Sequence, residues 1–233
     1  MKYQESIPYL TPVTKRIFKE HVIRYRFASA YVKNKRVLDM ACGTGYGSEM
    51  LKNAGALYVR GVDISEEAIS FAKQKYSKDG IEFSVGNAEY FNSGCYDAIV
   101  SFETIEHVED YKKVLRNFYT ILDPGGILII STPNRPVTSP QAKNIYDKPS
   151  NPSHVREFTL PEFTEVLQKT GFNFSEEDIF GQSDFRRFKN DYWRKFYKLF
   201  KLVTKWTDPG YGPEVKSVSQ VPVLKIIVIK AKK

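Results

Sequence analysis

An acidic side chain stands just before a glycine-rich loop in the stretch VLDMACGTGYG, residues 37–47. Asp39 follows a short apolar run, and the loop carries glycine at positions 43, 45 and 47. Glycines allow a sharp turn and let a ligand come close to the backbone. The dinucleotide fingerprint GxGxxG is not met, because the third glycine comes one position early, and a fixed carboxylate would repel pyrophosphate. The chemistry favours a cofactor that lacks phosphate and carries a positive charge.

S-adenosylmethionine has these properties, and Asp39 could attract its ammonium group directly or through water. A second acid, Asp63, lies 18 residues after Gly45, and its carboxylate can accept hydrogen bonds from both ribose hydroxyls. Ile64 could pack on the adenine, whose edge would meet residues 86–89. Either acid alone could instead be a solvated strand end or a helix cap. The complete set predicted to bind the cofactor is Asp39, Ala41, Gly43, Thr44, Gly45, Tyr46, Asp63, Ile64, Asn87, Ala88, Glu89 and Phe102.

S-adenosylmethionine is a methyl donor, and if the acceptor were a hydroxyl, a base would also be required because the hydroxyl proton must leave. His154 lies in a long loop with Glu157 three residues later, and a helical turn there would let the acid orient the imidazole. His154 is therefore the first candidate for the general base, and Glu106 is the second. The alternative is that His154 and Arg156 hold the loop in place or bind the substrate.

Four other side chains have two interpretations each. His107 follows Glu106 and could be catalytic or could support the cofactor site structurally. Tyr46 could contact the cofactor's methionyl end or the substrate, or could simply begin a helix. Arg24 and His21 lie on a predicted helix, where a surface position is the plainer interpretation, although Arg24 could pair with the cofactor carboxylate.

The elements that would position these residues alternate between strand and helix. Helical spacing of apolar residues covers 13–33, 46–54, 66–77, 109–122 and 160–170. Short apolar runs at 36–40, 57–63, 81–85, 96–101 and 126–131 predict strands, with further strands near 174–180 and 223–230. This alternation predicts an α/β fold with a doubly wound, mostly parallel sheet. The segment 132–158 predicts a long loop at the carboxyl side of the fifth strand, where ligands bind in such sheets.

The motifs VLDMACGTG, GVDIS, GNAE, YDAIVSFETIEHV and LDPGG resemble, in order, those of class I S-adenosylmethionine-dependent methyltransferases, over residues 21–182. RYRFA, GYGS, STPNR, NPSHVREF and GQ are in addition similar to bacterial methyltransferases associated with polysaccharide and modified-sugar biosynthesis. Asn87 departs from the family, which more often has aspartate against the adenine amino group. An asparagine carbonyl can still accept that hydrogen bond.

The resemblance implies a Rossmann-like, seven-stranded sheet whose last strand is antiparallel. It also implies O-methylation of a sugar or glycan intermediate by in-line methyl transfer with general-base assistance. Two alternatives stay open. One is methylation of a small aromatic or amine metabolite, which would not need His154. The other is a non-catalytic cofactor-fold module that docks to membrane or RNA.

A basic, aromatic segment runs from 184 to 206. Between 185 and 206 it has eight lysines and arginines against one acid, so it carries nearly all of the net charge of +8. Its apolar residues recur at helical spacing and predict one buried stripe. The segment could be an insertion that roofs the substrate pocket or an interfacial helix on an anionic membrane. Binding of single-stranded RNA is a third interpretation, which the nearly neutral remainder of the chain disfavours.

Composition limits the class of protein. The 233 residues suit one domain with a sizeable core: an N-terminal helical cap (1–34), a cofactor-binding core (35–181), a helical insertion (182–220) and a last strand (221–233). The sequence shows neither an apolar run long enough to span a membrane nor a signal-peptide core. Two isolated cysteines predict reduced thiols and no metal ligands. We expect a cytoplasmic protein, with peripheral contact to the inner membrane if the basic helix is interfacial; a homodimer is compatible with the sequence.

Overall fold

The structure is a computed structural model that describes residues 12–183, 215–220 and 225–233. Its helices are α1 (Pro12–Ser29), α2 (Tyr46–Asn53), α3 (Glu66–Tyr76), α4 (Tyr111–Ile121), α5 (Arg135–Thr138) and α6 (Leu160–Thr170). Its strands are β1 (Arg36–Met40), β2 (Tyr58–Asp63), β3 (Ile81–Val85), β4 (Tyr96–Phe102), β5 (Leu122–Pro133), β6 (Ile179–Gln182), β7 (Lys216–Ser217) and β8 (Ile226–Lys232). Within the described ranges, no helix is both long and apolar enough to cross a membrane.

One sheet holds all of these strands, in the order β3-β2-β1-β4-β5-β8-β6-β7. Strands β1 to β5 pair in parallel, whereas β8 is antiparallel to both of its neighbours, β5 and β6. The predicted doubly wound sheet with an antiparallel last strand is confirmed. The described strands number eight rather than seven, because the two-residue strand β7 adds to the edge beside β6.

Helices cover both faces of the sheet. On one face, apolar side chains of α1, α2 and α3 pack against the strands, and Phe18, Leu51 and Ile69 are buried there. On the other face α4 and α6 do the same, through buried residues such as Phe118 and Phe163. The strands between them are buried on both sides, which explains their continuous apolar runs.

Strand and helix boundaries differ from prediction in a few places. Strand β5 begins at Leu122 rather than 126, with a register shift opposite Tyr96 and Ala98. The strand expected near 174–180 begins at Ile179, after a short 3-10 turn. The helix predicted over 13–33 ends at Ser29. Most of the predicted insertion, including the basic segment 184–206, lies outside the described residues, so its structure stays a prediction.

The long loop between β5 and α6 is tied down by backbone pairing. Asn134 and Phe158 form a parallel bridge, and the short helix α5 follows Asn134. The amides of Val155 and Arg156 donate to the carbonyl oxygen of Glu106, at 2.8 and 3.3 Å. These bonds bring the end of the loop against the turn that follows β4. Two parts of the chain that carry candidate bases are therefore held side by side.

Candidate functional site

The glycine-rich loop connects β1 to α2 through left-handed backbone. Ala41, Gly43 and Gly45 have φ angles of 61°, 54° and 84°. A Cβ at position 45 would lie 2.7 Å from the Ala72 side chain, so only glycine fits this close approach to α3. At position 43 a Cβ would meet no atom within 4 Å, so the loop faces open space there. This is the space that a cofactor bound against the loop backbone would need.

Asp39 is fully buried behind this loop. Its carboxylate accepts hydrogen bonds from Tyr25 Oη at 2.9 Å and Ser48 Oγ at 2.6 Å. Burial raises its pKa to about 7, against the opposing effect of these two hydrogen bonds. Because Asp39 is fully buried, its carboxylate does not reach the cleft surface, and its contact with an ammonium group stays a prediction. Asp39 ties α1 and α2 to the end of β1, and so supports the loop.

Two other predicted cofactor residues also lie behind the loop. Tyr46 is buried with its ring 4.9 Å from that of Phe18 and 5.7 Å from that of Tyr25. Phe102 is buried against the other side of Tyr25, at 5.1 Å between ring centroids. Neither side chain lines the cleft in front of the loop. They build the core that positions Tyr25 and, through it, Asp39.

The substitution Asp39→Asn tests this buried position. An acid whose pKa is raised by folding binds its proton more tightly in the folded state, so its contribution to stability is greatest below the unfolded pKa and declines as pH rises from about 4 to about 7. Asparagine does not titrate, so the free energy of unfolding of the variant should fall less than that of the native chain as the pH rises over this range. Urea unfolding of both proteins at about pH 5 and about pH 7.5 measures this pH dependence of the free energy of unfolding. An identical pH dependence in the two proteins would contradict the raised pKa that we assign to the buried Asp39 carboxyl.

A cleft of about 310 Å³ opens in front of the loop, at the carboxyl ends of β1, β2 and β4. Its size falls within the range typical of small-molecule sites. Of the predicted cofactor residues, those that line it are Ala41, Asp63, Ile64, Asn87, Ala88 and Glu89. The sequence therefore identified this wall of the cleft, whereas of the predicted loop residues only Ala41 lines it, and Gly43, Thr44 and Gly45 do not.

Asp63 and Ile64 have the exposure and partners expected of a nucleoside site. The Asp63 carboxylate accepts from the backbone amide of Gly43 at 2.8 Å and from that of Ser65 at 2.9 Å. Each oxygen retains a lone pair that can accept from a ribose hydroxyl. Ile64 is 68% exposed, which leaves a large apolar surface uncovered in the cleft. The residues present thus fit a ribose diol beside a flat apolar ring.

Asn87 and Glu89 are engaged differently from the prediction. The side-chain oxygen of Asn87 accepts from the amide of Glu89 at 2.8 Å and closes a local turn. Glu89 Oε1 accepts from the amides of Glu109 and Asp110, at 2.7 and 3.4 Å. The Glu89 carboxylate therefore joins the third-strand loop to the start of α4. At this wall the adenine would meet the turn's backbone and the Asn87 amide, rather than the Glu89 carboxylate.

A second cavity of about 470 Å³ adjoins the first, and Glu103 and His107 line both. Glu103 has a left-handed φ of 52°, and its Oε1 accepts from Ser131 Oγ at 2.8 Å. The sequence analysis passed over Glu103, although its place directly after β4 was a signal. The far side of the second cavity is formed by His21 and Arg24 of α1. Both are therefore cavity residues, in contrast to the predicted surface position.

His154 and Glu157 form a hydrogen-bonded pair in the second cavity. His154 Nδ1 lies 2.7 Å from Glu157 Oε1, although the stretch between them is not helical. Because a carboxylate only accepts, Nδ1 carries the proton. Asn151 Nδ2 donates to His154 Nε2 at 2.8 Å, so that nitrogen holds the lone pair. Asn151 was missed by the sequence analysis; its only signal was its position three residues before His154.

The environment of Glu157 keeps it charged. Burial alone would raise its pKa, but hydrogen bonds from His154, Thr138 and Ser139 hold the pKa below its ordinary value. The Thr138 hydroxyl donates to the oxygen that does not face His154. A buried, ionised carboxylate next to an imidazole fixes the ring orientation and stabilises its protonated form.

Glu106 is fully buried beside this pair. Its Oε2 accepts from Thr132 Oγ1 at 3.2 Å, and its Oε1 has no hydrogen-bond partner among the described residues. Burial, and then the charge of Glu103, raise the pKa of Glu106 well above its ordinary value. The ring of His107 meets that of His154 edge to face, at 4.7 Å between centroids.

Arg156 has a structural role. Its guanidinium donates to the carbonyl oxygens of Val108 and Glu109, at 2.6 and 2.9 Å, and lies 4.8 Å from the ring centroid of Tyr111. It therefore pins the loop to the turn after β4. The alternative that the sequence left open, in which this arginine holds the loop in place, fits these contacts.

Comparisons with known proteins agree with this geometry. Residues 17–177 match the model of a family described as "Methyltransferase domain". A probable S-adenosylmethionine-dependent methyltransferase of Mycolicibacterium smegmatis is 32% identical over 166 residues, which are 70% of this chain and 61% of that protein. A ubiquinone biosynthesis O-methyltransferase of Coxiella burnetii is 36% identical over 122 residues, 48% of this chain and 50% of that protein. The matched region thus spans about half to three fifths of these relatives.

Solved structures show the same fold at low sequence identity. An S-adenosylmethionine-dependent methyltransferase from Mesorhizobium loti superposes with a TM-score of 0.64 at 16% identity, covering 90% of this chain and 95% of that one. Magnesium protoporphyrin IX methyltransferase from Synechocystis, solved with bound S-adenosylhomocysteine, gives 0.64 at 18% identity, covering 100% and 93%.

Proposed function

This chain belongs to the class I S-adenosylmethionine-dependent methyltransferase family, and from that premise we propose that it O-methylates a hydroxyl of a sugar or glycan intermediate. S-adenosylmethionine is the cofactor. In this proposal the first cleft binds the cofactor, and the second cavity binds the acceptor. The boundary between them, which Glu103 and His107 line from both sides, is where we place the methyl transfer.

The first cleft would hold the cofactor through a few named groups. Asp63 accepts from the ribose hydroxyls, and Ile64 covers one face of the adenine. The backbone of the loop from Ala41 to Gly45 lies against the methionyl part. When bound, S-adenosylmethionine supplies an electrophilic methyl group on its sulfonium. The protein then has to orient an acceptor oxygen in line with that methyl group, and such positioning contributes on the order of 7–11 kcal/mol.

The observation that carries the proposal is the pair formed by His154 and Glu157 in the cavity next to the cofactor cleft. A neutral imidazole with its lone pair on Nε2 can take the proton of a hydroxyl as the oxygen attacks. Glu157 then stabilises the imidazolium through Nδ1. The Asn151 amide now bonded to Nε2 has to give way to the acceptor hydroxyl. Glu106 is the second group that could take this proton.

The lining of the second cavity supports a polar acceptor. Twelve of its fifteen lining residues have polar or charged side chains, and the three apolar ones are Ile17, Pro133 and Ile226. A saccharide with several hydroxyls can satisfy such groups by hydrogen bonds. A purely apolar acceptor would exclude water from these groups without offering them hydrogen bonds, which is unfavourable.

A phenolic hydroxyl is the second candidate acceptor. The support for it is the likeness to the Coxiella burnetii protein described as a ubiquinone biosynthesis O-methyltransferase. A phenol is more acidic than a sugar hydroxyl, so it depends less on a strong base. The two acceptors therefore differ in how much they need His154.

Incubation with radiolabelled S-adenosylmethionine and two sets of acceptors tests the proposal. One set contains nucleotide sugars and free sugars, and the other contains catechols and other small phenols. We expect label in a saccharide, lost when His154 is replaced by alanine. Label only in phenols would replace the sugar acceptor by the second candidate. Label in neither set would contradict O-methylation of a sugar or phenolic hydroxyl.

A further inference from the structure

Three side chains with metal-binding atoms converge where the two cavities meet. Glu106, His107 and His154 each have a donor atom within 4.8 Å of the donor atoms of the other two. Glu106 and His107 follow β4, whereas His154 comes from the distant loop, so these three residues have no recognisable metal-ligand spacing along the chain. The backbone bonds from Val155 and Arg156 to the Glu106 carbonyl hold these segments together.

The Glu106 carboxylate points to a missing partner. Its side chain is fully buried, and Oε1 has no hydrogen-bond partner in the part of the chain that the structure describes. Leaving a buried carboxyl oxygen without a hydrogen-bond partner is unfavourable. Arg24 lines the same cavity but donates through NH1 to Gln182 rather than to Glu106. A ligand with positive charge would satisfy this oxygen.

Both histidines are held in the form that a metal ion requires. His107 Nδ1 lies 2.9 Å from the carbonyl oxygen of Ser153, and His154 Nδ1 lies 2.7 Å from the carboxylate of Glu157. Because these partners only accept, Nδ1 carries the proton in both rings, which leaves the lone pair on Nε2. A histidine that ligates a metal commonly donates its other N–H to a carboxylate or a backbone carbonyl. His107 and His154 show these two arrangements side by side.

We infer that Glu106, His107 and His154 form a binding site for one divalent first-row metal ion, with Glu157 as a positioning residue. Two imidazoles and one carboxylate suit ions such as Zn²⁺ and Mn²⁺ better than Mg²⁺ or Ca²⁺, which prefer oxygen ligands alone. With bond lengths of about 2.0–2.2 Å, ligand atoms lie about 3–3.5 Å apart. The donors must therefore move closer on binding, and the exposed ring of His107 can make that movement.

The inference rests on the proposed function for its biological role. A metal ion at the border of the two cavities would hold the acceptor hydroxyl and lower its pKa, and the hydroxyl proton would leave to solvent as the oxygen attacks the methyl group. His154 Nε2 would then donate its lone pair to the ion, and Asn151 would lose its hydrogen bond to that atom. Without an ion, His154 acts as the base described above.

Calorimetric titration of the chelator-treated full chain with Zn²⁺ alone, and separately with Mn²⁺ alone, tests the site. We expect one ion per chain. Glu106→Gln and His107→Ala should each weaken binding at least about tenfold, and Glu157→Gln should weaken it about 10–100-fold. Glu165→Gln, an exposed acid on α6 that lines neither cavity, is the matched control and should leave metal affinity unchanged.

The outcomes separate this inference from the proposed function. Absence of binding, or equal affinity in all four variants, would overturn the metal site. His107 is exposed, so His107→Ala should fold, and thermal unfolding checks this for each variant. A rate of methyl transfer that excess chelator leaves unchanged would also overturn the role of the ion, while leaving O-methylation intact. Metal binding that depends on these residues, with no hydroxyl acceptor methylated, would support the site and refute the function.

Discussion

Replacing His154 with alanine is expected to slow methyl transfer to a hydroxyl acceptor by about 10²–10⁴-fold, the usual contribution of a positioned acid or base. The reason is the loss of Nε2, which holds the lone pair in the second cavity because Nδ1 donates to Glu157. Binding of S-adenosylhomocysteine should be unchanged, because His154 does not line the cofactor cleft. Steady-state kinetics and calorimetry on the same preparation measure both quantities.

A more conservative variant controls for this result. Glu157→Gln keeps the size of the side chain and one acceptor atom for Nδ1, but removes the charge that stabilises the imidazolium. It should reduce turnover by less than the loss of His154 does. A wild-type rate in His154→Ala would remove this residue from the mechanism, and a parallel loss of cofactor affinity would indicate a structural role instead.

Replacing Asp63 with alanine is expected to weaken S-adenosylhomocysteine binding by about 10²–10⁴-fold. The carboxylate would accept two hydrogen bonds from the ribose, and a bond to a charged group contributes about 1.5–3 kcal/mol. The substitution also removes the acceptor for the Gly43 amide, which helps to hold the glycine loop. Isothermal titration calorimetry measures the affinity, and thermal unfolding verifies that the variant is folded.

Asp63→Asn is the matched control for that experiment. Asparagine has the same shape but only one acceptor oxygen, and its NH₂ group would face the backbone amide of either Gly43 or Ser65. An intermediate affinity is therefore expected. If Asp63→Ala binds S-adenosylhomocysteine as tightly as the native chain, the first cleft does not hold the ribose where we place it.

The central sheet was predictable because its signals are local. The strands 36–40 and 81–85 and the helix 160–170 have the predicted bounds, since each is an apolar or periodic run ended by polar, glycine or capping residues. Ser65 accepts from the Ala68 amide at 3.1 Å, as an N-cap should. Strand β7 carries no such signal, because a two-residue strand depends only on its neighbour β6.

The side-chain partners in the site were less predictable, since they depend on contacts between distant segments. Asp39 looked available for a ligand, but Tyr25 of α1 and Ser48 of α2 occupy its oxygens. The proximity of Glu106 to His154 arises from backbone bonds across the loop, which no spacing in the sequence encodes. The pairing of His154 with Glu157 was predicted, but the prediction assumed a helical turn between them, and the stretch is not helical.

One crystal structure with S-adenosylhomocysteine would test the central claim most directly, namely that the two adjoining cavities bind the cofactor and the acceptor. The account predicts the ribose on Asp63, the adenine against Ile64, and the sulfur facing the boundary lined by Glu103 and His107. A sulfur that points away from the second cavity would contradict it, because no acceptor oxygen held near His154 could then reach the methyl group.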